Sequence, residues 1–184
     1  MVSTLQVGAR AIDLRLGDIT TFEADAILNA ANSSLAGGGG VDGAIHRAGG
    51  PEVMADLERR YGRNRHCPTG SAVAGNAGNL PARWVIHAVG PVWHGGQSGE
   101  PDQLRSAYEN SFRLAHELGA KVVTSPSIST GIYRFPLDLA APIAVRAAKA
   151  HLEGETSIER ITFVLFSQET FAAFEGALSA LASG

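Results

Sequence analysis

The sequence is poor in cysteine, in clustered charge and in long apolar runs. Its single cysteine, Cys67, excludes an internal disulfide and suits a reducing compartment. The net charge is −3 and no basic run occurs, which argues against binding to a nucleic-acid backbone. No apolar stretch is long enough to cross a bilayer, and the opening MVSTLQVGAR does not resemble a signal peptide. We therefore expect a cytoplasmic protein without a membrane partner.

The sequence also lacks the usual spacings of metal ligands. Its six histidines show no HExxH or paired-ligand pattern, and Cys67 has no partner cysteine. We therefore expect neither a metal site nor a cofactor.

The 184 residues, 45% of them hydrophobic, predict a single globular domain over residues 1–184. Apolar patterns predict strands at Thr4–Val7, Ala11–Leu16, Ala24–Leu28, Ser71–Gly75, Arg83–Val89, Lys121–Thr124 and Arg160–Phe166. Helices are predicted at Val41–Ala48, Pro51–Tyr61, Gln103–Leu118, Asp138–Leu152 and Gln168–Leu181. Pro142 must then lie near the first turn of the fourth helix. Alternating strands and helices predict an α/β fold, and two leading strands that pair antiparallel would make its sheet mixed.

One stretch, residues 29–46, joins a polar turn and four consecutive glycines to a predicted helix start. It reads NAANSSLAGGGGVDGAIH, and we call its residues 31–40 the first loop. Ordering glycine costs more backbone entropy than ordering any other residue, so a run such as Gly37–Gly40 suits a place where the backbone approaches a ligand closely. The N–H groups and dipole of a helix N-terminus favour a phosphate there. The glycines alone fit a flexible surface loop equally well.

Asp42 and His46 lie one turn apart on the helix that follows the first loop. An acid beside an anion site is unusual for simple binding and useful for chemistry, so Asp42 is a candidate catalytic residue. The alternative is that Asp42 only compensates the helix dipole.

A second loop, residues 126–136, has the same setting between a strand and a helix. Its hydroxyl-rich turn at residues 127–131 suits a phosphate, and Tyr133 and Phe135 add aromatic surface, although core packing is favoured for Phe135. Ligands of open α/β sheets bind beyond the carboxyl ends of strands. Two such loops facing each other therefore predict a cleft that holds a pyrophosphate.

Several segments together resemble a macrodomain, and most closely the MacroD-type class of ADP-ribosyl hydrolases. They are GDIT at residues 17–20, ADAILNAANSSLAGGGGVDGAIHRAGGP at 24–51, CPTG at 67–70, LPARWVIHAVGPVW at 80–93 and SPSISTGIYRFP at 125–136. NAAN followed by GGGGVDGAIH is the most specific of these signals. The resemblance implies a three-layer α/β/α fold around a central mixed β-sheet, with a cleft for ADP-ribose.

The resemblance also implies roles by position. Asp18 would accept from the adenine amino group and Phe166 would stack on the adenine ring. Asn32 would hold the distal ribose, Asp42 would act in catalysis and His46 would support it from behind. The remaining implied substrate-binding residues are Ile19, Asn29, Gly39, Gly40, Val41, Ser129, Thr130, Gly131, Ile132 and Tyr133.

The resembled enzymes cleave the ester between the distal ribose and an Asp or Glu side chain, or the acetyl ester of O-acetyl-ADP-ribose. We therefore expect a hydrolase whose partners are ADP-ribose, ADP-ribosylated proteins or O-acetyl-ADP-ribose. One alternative is a reader module that binds ADP-ribose without turnover, which would not need the set Asn32, Asp42 and His46. Another is a phosphatase acting on ADP-ribose 1″-phosphate.

The sequence departs from its class at Arg134, where glycine is common. This side chain would narrow the cleft mouth, pair with phosphate or point to solvent. Three other macrodomain branches are disfavoured, because the zinc-ligand pattern, the paired glutamates of poly(ADP-ribose) glycohydrolases and any lysine between Asp18 and Ala120 are missing.

Overall fold

A computed structural model describes residues 3–184 and shows a mixed sheet flanked by helices. The strands are β1 (Thr4–Val7), β2 (Arg10–Leu16), β3 (Ala26–Ala30), β4 (Ala72–Asn76), β5 (Trp84–Ala88), β6 (Val122–Ser125) and β7 (Arg160–Leu165). The helices are α1 (Gly40–Gly49), α2 (Pro51–Tyr61), α3 (Glu100–Glu117), α4 (Leu137–Glu153) and α5 (Gln168–Ser183).

The strands pair in the order β1-β2-β7-β6-β3-β5-β4. The five inner strands are parallel, while β1 and β4 pair antiparallel at the two edges. The predicted antiparallel pairing of the two leading strands is confirmed, with Leu5 opposite Ile12. Because the inner strands run in one direction, the loops that leave them meet at one edge of the sheet.

Helices cover both faces of the sheet, as the α/β/α prediction requires. On one face, Ile27 of β3 and Val85 of β5 pack with Ile45 of α1. On the other face, Leu28 and Ile86 belong to a larger core built with α3, α4 and α5. Strands that are buried on both faces read as nearly continuous apolar runs, and β3 and β5 show this pattern.

The start of β3 differs from the prediction because the side chain of Asp25 hydrogen-bonds to the start of β6. β3 begins at Ala26 rather than Ala24. The Oδ2 atom of Asp25 accepts the N–H groups of Lys121 and Val122 at 2.8 and 2.9 Å, where β6 begins. This carboxylate therefore ties the start of β6 to β3.

Two helices also differ from the prediction. Helix α4 begins at Leu137 rather than Asp138, so Pro142 lies just after the first turn, one position further into the helix than predicted. Proline has no N–H to donate, so α4 loses one backbone hydrogen bond there. Helix α3 begins at Glu100 rather than Gln103, with Pro101 in its first turn, where proline is well tolerated.

The carboxylate of Glu100 closes the loop between β5 and α3. Its Oε2 atom accepts the N–H groups of His94 at 2.8 Å and Gly96 at 2.9 Å, and its Oε1 atom accepts the N–H of Ser98 at 2.7 Å. Burial alone raises the pKa of this carboxyl, but hydrogen bonds from Gly96 and its neighbours outweigh burial and lower the pKa to about 2. Glu100 therefore stabilises the loop in its ionised form.

We expect the stability that Glu100 confers to be lost in acid. Its folded-state pKa of about 2 lies below the ordinary 4.5, so the contribution is complete above the ordinary value and disappears as the pH falls towards 2. Glu100→Gln should therefore lower the Tm at neutral pH and flatten the acid decline of Tm in calorimetric scans. Asp102→Asn, an exposed acid in the same helical turn, is the control and should change little. Equal Tm values for Glu100→Gln and the parent at neutral pH would contradict this role.

Candidate active site

A cleft of about 670 Å³ opens at the edge of the sheet where the parallel strands end. The segments that follow β2, β3, β5, β6 and β7 line it. The first and second loops form two of its walls. Ligands of open α/β sheets bind at this position.

Asn32 organises the first loop from its start. Its Nδ2 atom donates to the carbonyl of Gly37 at 2.9 Å, and its Oδ1 atom accepts from the Ser34 hydroxyl at 2.9 Å and from the Ala36 N–H at 3.1 Å. One side chain thus closes the loop on itself. The second hydrogen of Nδ2 has no protein acceptor in the described part of the chain, so it is available to a ligand.

The first loop lies directly on α1 because Gly43 has no side chain. A Cβ atom on Gly43 would lie 2.5 Å from the carbonyl oxygen of Gly38 and 3.0 Å from Nη1 of Arg47. The N–H of Gly43 also donates to the carbonyl of Gly39 at 3.2 Å. This close approach brings the loop glycines and the N-terminus of α1 together at the cleft, where they suit a phosphate.

Asp42 has one carboxylate oxygen anchored and the other turned towards the first loop. Oδ1 accepts from Nδ2 of Asn29 at 2.8 Å and lies 3.3 Å from Nε2 of His46. Oδ2 lies 3.4 Å from the position that a Cβ atom on Gly38 would take. Asp42 is only 6% exposed, so its carboxylate meets the cleft in one fixed orientation.

The second loop is held in a strained conformation against Gly90. Ser129 has a φ of +69°, in a region that costs a non-glycine residue about 1–2 kcal/mol. A Cβ atom on Gly90 would lie 2.1 Å from the Ser129 hydroxyl, so glycine is needed for this approach. That buried hydroxyl has no hydrogen-bond partner within residues 3–184. Strain and an unsatisfied buried polar group are both typical of functional sites.

Asp18 and Phe166 lie together at the part of the cleft beside β2 and β7. The parallel pairing of these strands joins them, since the N–H of Gly17 donates to the carbonyl of Leu165 at 2.9 Å. The Oδ1 atom of Asp18 accepts from the N–H of Thr20 at 3.0 Å, which leaves Oδ2 for a ligand. Phe166 is 87% exposed, so its ring offers a flat apolar surface.

A protein-family model, the Macro domain, matches residues 28–144, which is more than half of the chain. The chain belongs to the Macro domain family. A similar protein, the O-acetyl-ADP-ribose deacetylase of Klebsiella pneumoniae, is 51% identical over 164 residues, covering 89% of this macrodomain and 94% of that protein. The resemblance inferred from the sequence is therefore confirmed.

Solved structures confirm the fold of this macrodomain. The G37V mutant of the Oceanobacillus iheyensis macrodomain, solved with ADPR, matches it with a TM-score of 0.91 and 33% identity, covering 98% of each chain. The Trypanosoma brucei macrodomain in complex with ADP-ribose matches it with a TM-score of 0.81 and 36% identity, covering 91% of this chain and 68% of that chain.

Most of the predicted site residues of the macrodomain line the cleft. They are Asp18, Ile19, Asn32, Gly39, Gly40, Val41, Asp42, Ser129, Thr130, Gly131, Ile132, Tyr133 and Phe166. Asn29 and His46 do not line it, and both instead contact the carboxylate of Asp42 from behind. The roles of all these residues towards a ligand stay predictions.

Two side chains of the second loop, Phe135 and Arg134, lie in different environments. Phe135 is 2% exposed and packs in the core, which was the interpretation favoured for it from the sequence. Arg134 is exposed, lies outside the cleft lining and has a φ of +60°. Glycine adopts a left-handed φ of this kind without the steric cost that arginine has here.

Three residues of the site were not predicted from the sequence. Within residues 3–184, Arg47 is the only cationic side chain that lines the cleft. Arg47 lies one helical turn after Gly43, against which the first loop packs, and this i,i+4 spacing was the signal for it. Gly90 and His87 had no local signal, because their contacts with Ser129 and Asn29 depend on how separate strands lie together.

Residues 3–184 carry neither a cluster of metal ligands nor a helix that could span a membrane. No group of His, Cys, Asp and Glu side chains there is arranged to hold a metal ion. No helix there is both long enough and apolar enough to cross a membrane. Cys67 is buried, and burial raises the pKa of its thiol.

Proposed function

We propose that this macrodomain binds ADP-ribose and hydrolyses the ester that links the distal ribose to an acyl group. The acyl group is acetyl in O-acetyl-ADP-ribose, or an Asp or Glu side chain in an ADP-ribosylated protein. The carboxylate of Asp42 carries this proposal, because a domain that only binds a diphosphate gains nothing from a fixed negative charge beside it. The deacetylase named above supports the same reaction class.

The ligand runs along the cleft in this proposal. The adenine ring stacks on Phe166, and its amino group donates to Asp18. The diphosphate accepts from backbone N–H groups of residues 39–41 and of the second loop. The distal ribose lies beside Asn32, whose amide keeps one hydrogen available.

Asp42 would accept a hydrogen bond from a water molecule and direct its oxygen at the ester carbonyl. A bond forms between the water oxygen and the acyl carbon, and the bond between the acyl carbon and the ribose oxygen breaks. Asp42 takes a proton from the water and returns it to the ribose oxygen, giving ADP-ribose and a carboxylic acid that ionises. A positioned general base of this kind typically contributes ~10²–10⁴-fold to the rate. His46, which lies behind the carboxylate, supports it rather than reacting.

The decisive experiment measures turnover of two substrates side by side. We expect release of ADP-ribose from O-acetyl-ADP-ribose, from a protein mono-ADP-ribosylated on Asp or Glu, or from both. Calorimetry should show that ADP-ribose binds more tightly than AMP, since AMP lacks the distal ribose that Asn32 holds. Binding without turnover would contradict the proposed hydrolysis and favour a reader module. Equal affinity for AMP and ADP-ribose would show that Asn32 does not bind the distal ribose.

Replacing Phe166 with alanine should weaken ADP-ribose binding by about 1–3 kcal/mol, as loss of base–aromatic stacking typically does. The exposed ring makes few contacts that the fold needs, so stability should hardly change. Calorimetry should show a comparable loss for AMP, because both ligands carry adenine. Phe166→Tyr should keep the affinity, and Leu16→Ala, another exposed apolar residue on the neighbouring strand, should not reduce it. An unchanged Kd for Phe166→Ala would exclude stacking.

A further inference from the structure

Asn29 and His87 form a buried polar pair directly behind the cleft. They are opposite each other in the register of β3 and β5, and they are 0% and 1% exposed. Nδ2 of Asn29 lies 3.2 Å from Nδ1 of His87. Both side chains point to the α1 side of the sheet, where Asn29 also meets Asp42.

The protons of this pair can be assigned from its partners. Nδ2 of Asn29 carries two hydrogens, and one of them goes to Oδ1 of Asp42, which is an acceptor only. The other hydrogen then points at Nδ1 of His87, which must accept it, so the ring carries its proton on Nε2. Burial, and then the nearby charge of His46, lower the pKa of His87 to about 3, which keeps the ring neutral.

We propose that His87 is a positioning residue that acts on the reacting water through Asn29 and Asp42. By accepting one amide hydrogen, His87 fixes the plane of the Asn29 amide, and the other amide hydrogen then fixes the Asp42 carboxylate. This inference rests on the proposed ester hydrolysis. His87 touches neither the cleft nor the ligand, so its effect should be on the chemical step and not on binding.

Two substitutions separate this role from simple packing. His87→Asn places an acceptor oxygen where Nδ1 stood, because both atoms are two bonds from Cβ. His87→Gln places its polar group one bond further out, near the position of Nε2, which has no hydrogen-bond partner in the described residues. Both variants remove the ring and leave a neutral amide, so packing alone should affect them similarly.

Steady-state kinetics on the ester substrate should distinguish the two variants. At metal sites, loss of an outer hydrogen bond that orients a ligand costs about 10- to 100-fold in activity, and the hydrogen bond to Asn29 orients a carboxylate in the same way. We expect His87→Gln to lower kcat by that factor with KM and the Kd for ADP-ribose within about twofold of the parent. His87→Asn should restore most of kcat. Equal kcat values for the two variants, or losses that follow their Tm values, would overturn the proposal.

A second measurement does not need turnover. In ¹H–¹⁵N spectra, the Asn29 side-chain amide hydrogen that faces His87 should have the downfield chemical shift of a hydrogen-bonded proton in the parent and in His87→Asn, and should lose it in His87→Gln. If the parent cleaves no ester, the proposed hydrolysis fails, and this spectrum still tests the arrangement by itself. Identical chemical shifts of this hydrogen in all three proteins would overturn the positioning role whatever the activity.

Discussion

Asp42→Ala should abolish ester hydrolysis, or slow it by at least about 10²–10⁴-fold, and keep most of the affinity for ADP-ribose. Its carboxylate is fixed by Asn29 and lies beside the loop that suits the diphosphate. Removing a negative charge near phosphates should not weaken ground-state binding, whereas the transition state loses the group that activates water. Steady-state kinetics should therefore show a fall in kcat with little change in KM.

Two variants are the controls for Asp42. Asp18→Ala removes the other acidic side chain of the cleft lining and should weaken binding through the adenine, with kcat almost unchanged. Asn32→Ala should impair both binding and turnover, since it holds the ribose and the first loop. If Asp42 were only a helix-start charge, its removal would cost about 0.3–1 kcal/mol of stability and no activity. Parental turnover in a folded Asp42→Ala protein would exclude Asp42 from the mechanism. The remaining explanation would be that the substrate phosphate activates the water.

Gly43→Ala should disable the site while preserving the helix that carries it. The added methyl group would lie 2.5 Å from the Gly38 carbonyl oxygen, so the first loop must move away from α1. Displacement of a reacting group by about 1 Å can cost about 10²-fold in rate, and we expect at least that loss of turnover together with weaker ADP-ribose binding. Kinetics and calorimetry on the purified variant measure the two effects.

Gly176→Ala is the matched control for this substitution. Gly176 is also helical, within α5, but a Cβ atom there would meet nothing within 4 Å. Alanine should stabilise that helix by about 0.5–1 kcal/mol and leave activity unchanged. Parental binding and turnover in Gly43→Ala would show that the first loop does not need its close approach to α1.

The sequence identified those site residues whose chemistry can be inferred from short patterns of neighbouring residues. The glycine run and the spacing of Asp42 and His46 predict an anion site and an acid on one helix before any tertiary contact is known. The hydroxyl-rich second loop is recognisable in the same way. These are short-range patterns, and the structure finds them at one edge of the sheet because five strands are parallel.

The contacts that the sequence could not supply join residues that lie far apart along the chain. Asn29 and His87 are 58 positions apart, and only the pairing of β3 with β5 brings them together. Asp25 accepts a hydrogen bond from the N–H of Lys121, 96 positions away. For this reason β3 begins after Asp25, later than the local sequence pattern predicts. The order of strands in the sheet and the face to which each side chain points depend on distant parts of the chain. Neither contact therefore has a signal in its own segment.

Among residues 3–184, the cleft lining holds one basic side chain, Arg47, and two acidic ones, Asp18 and Asp42, so its side chains carry no net positive charge. Its attraction for an anion must then come from aligned peptide dipoles, whose reach is short and whose geometry is fixed by the backbone. Polyanion binders gain affinity by releasing condensed counter-ions, and a pocket of this kind releases few. Nucleic acids carry the same phosphate chemistry in great excess inside a cell, yet they would gain little here. A single diphosphate of the right length can therefore be selected from a background of phosphodiesters by shape, at any ordinary salt concentration.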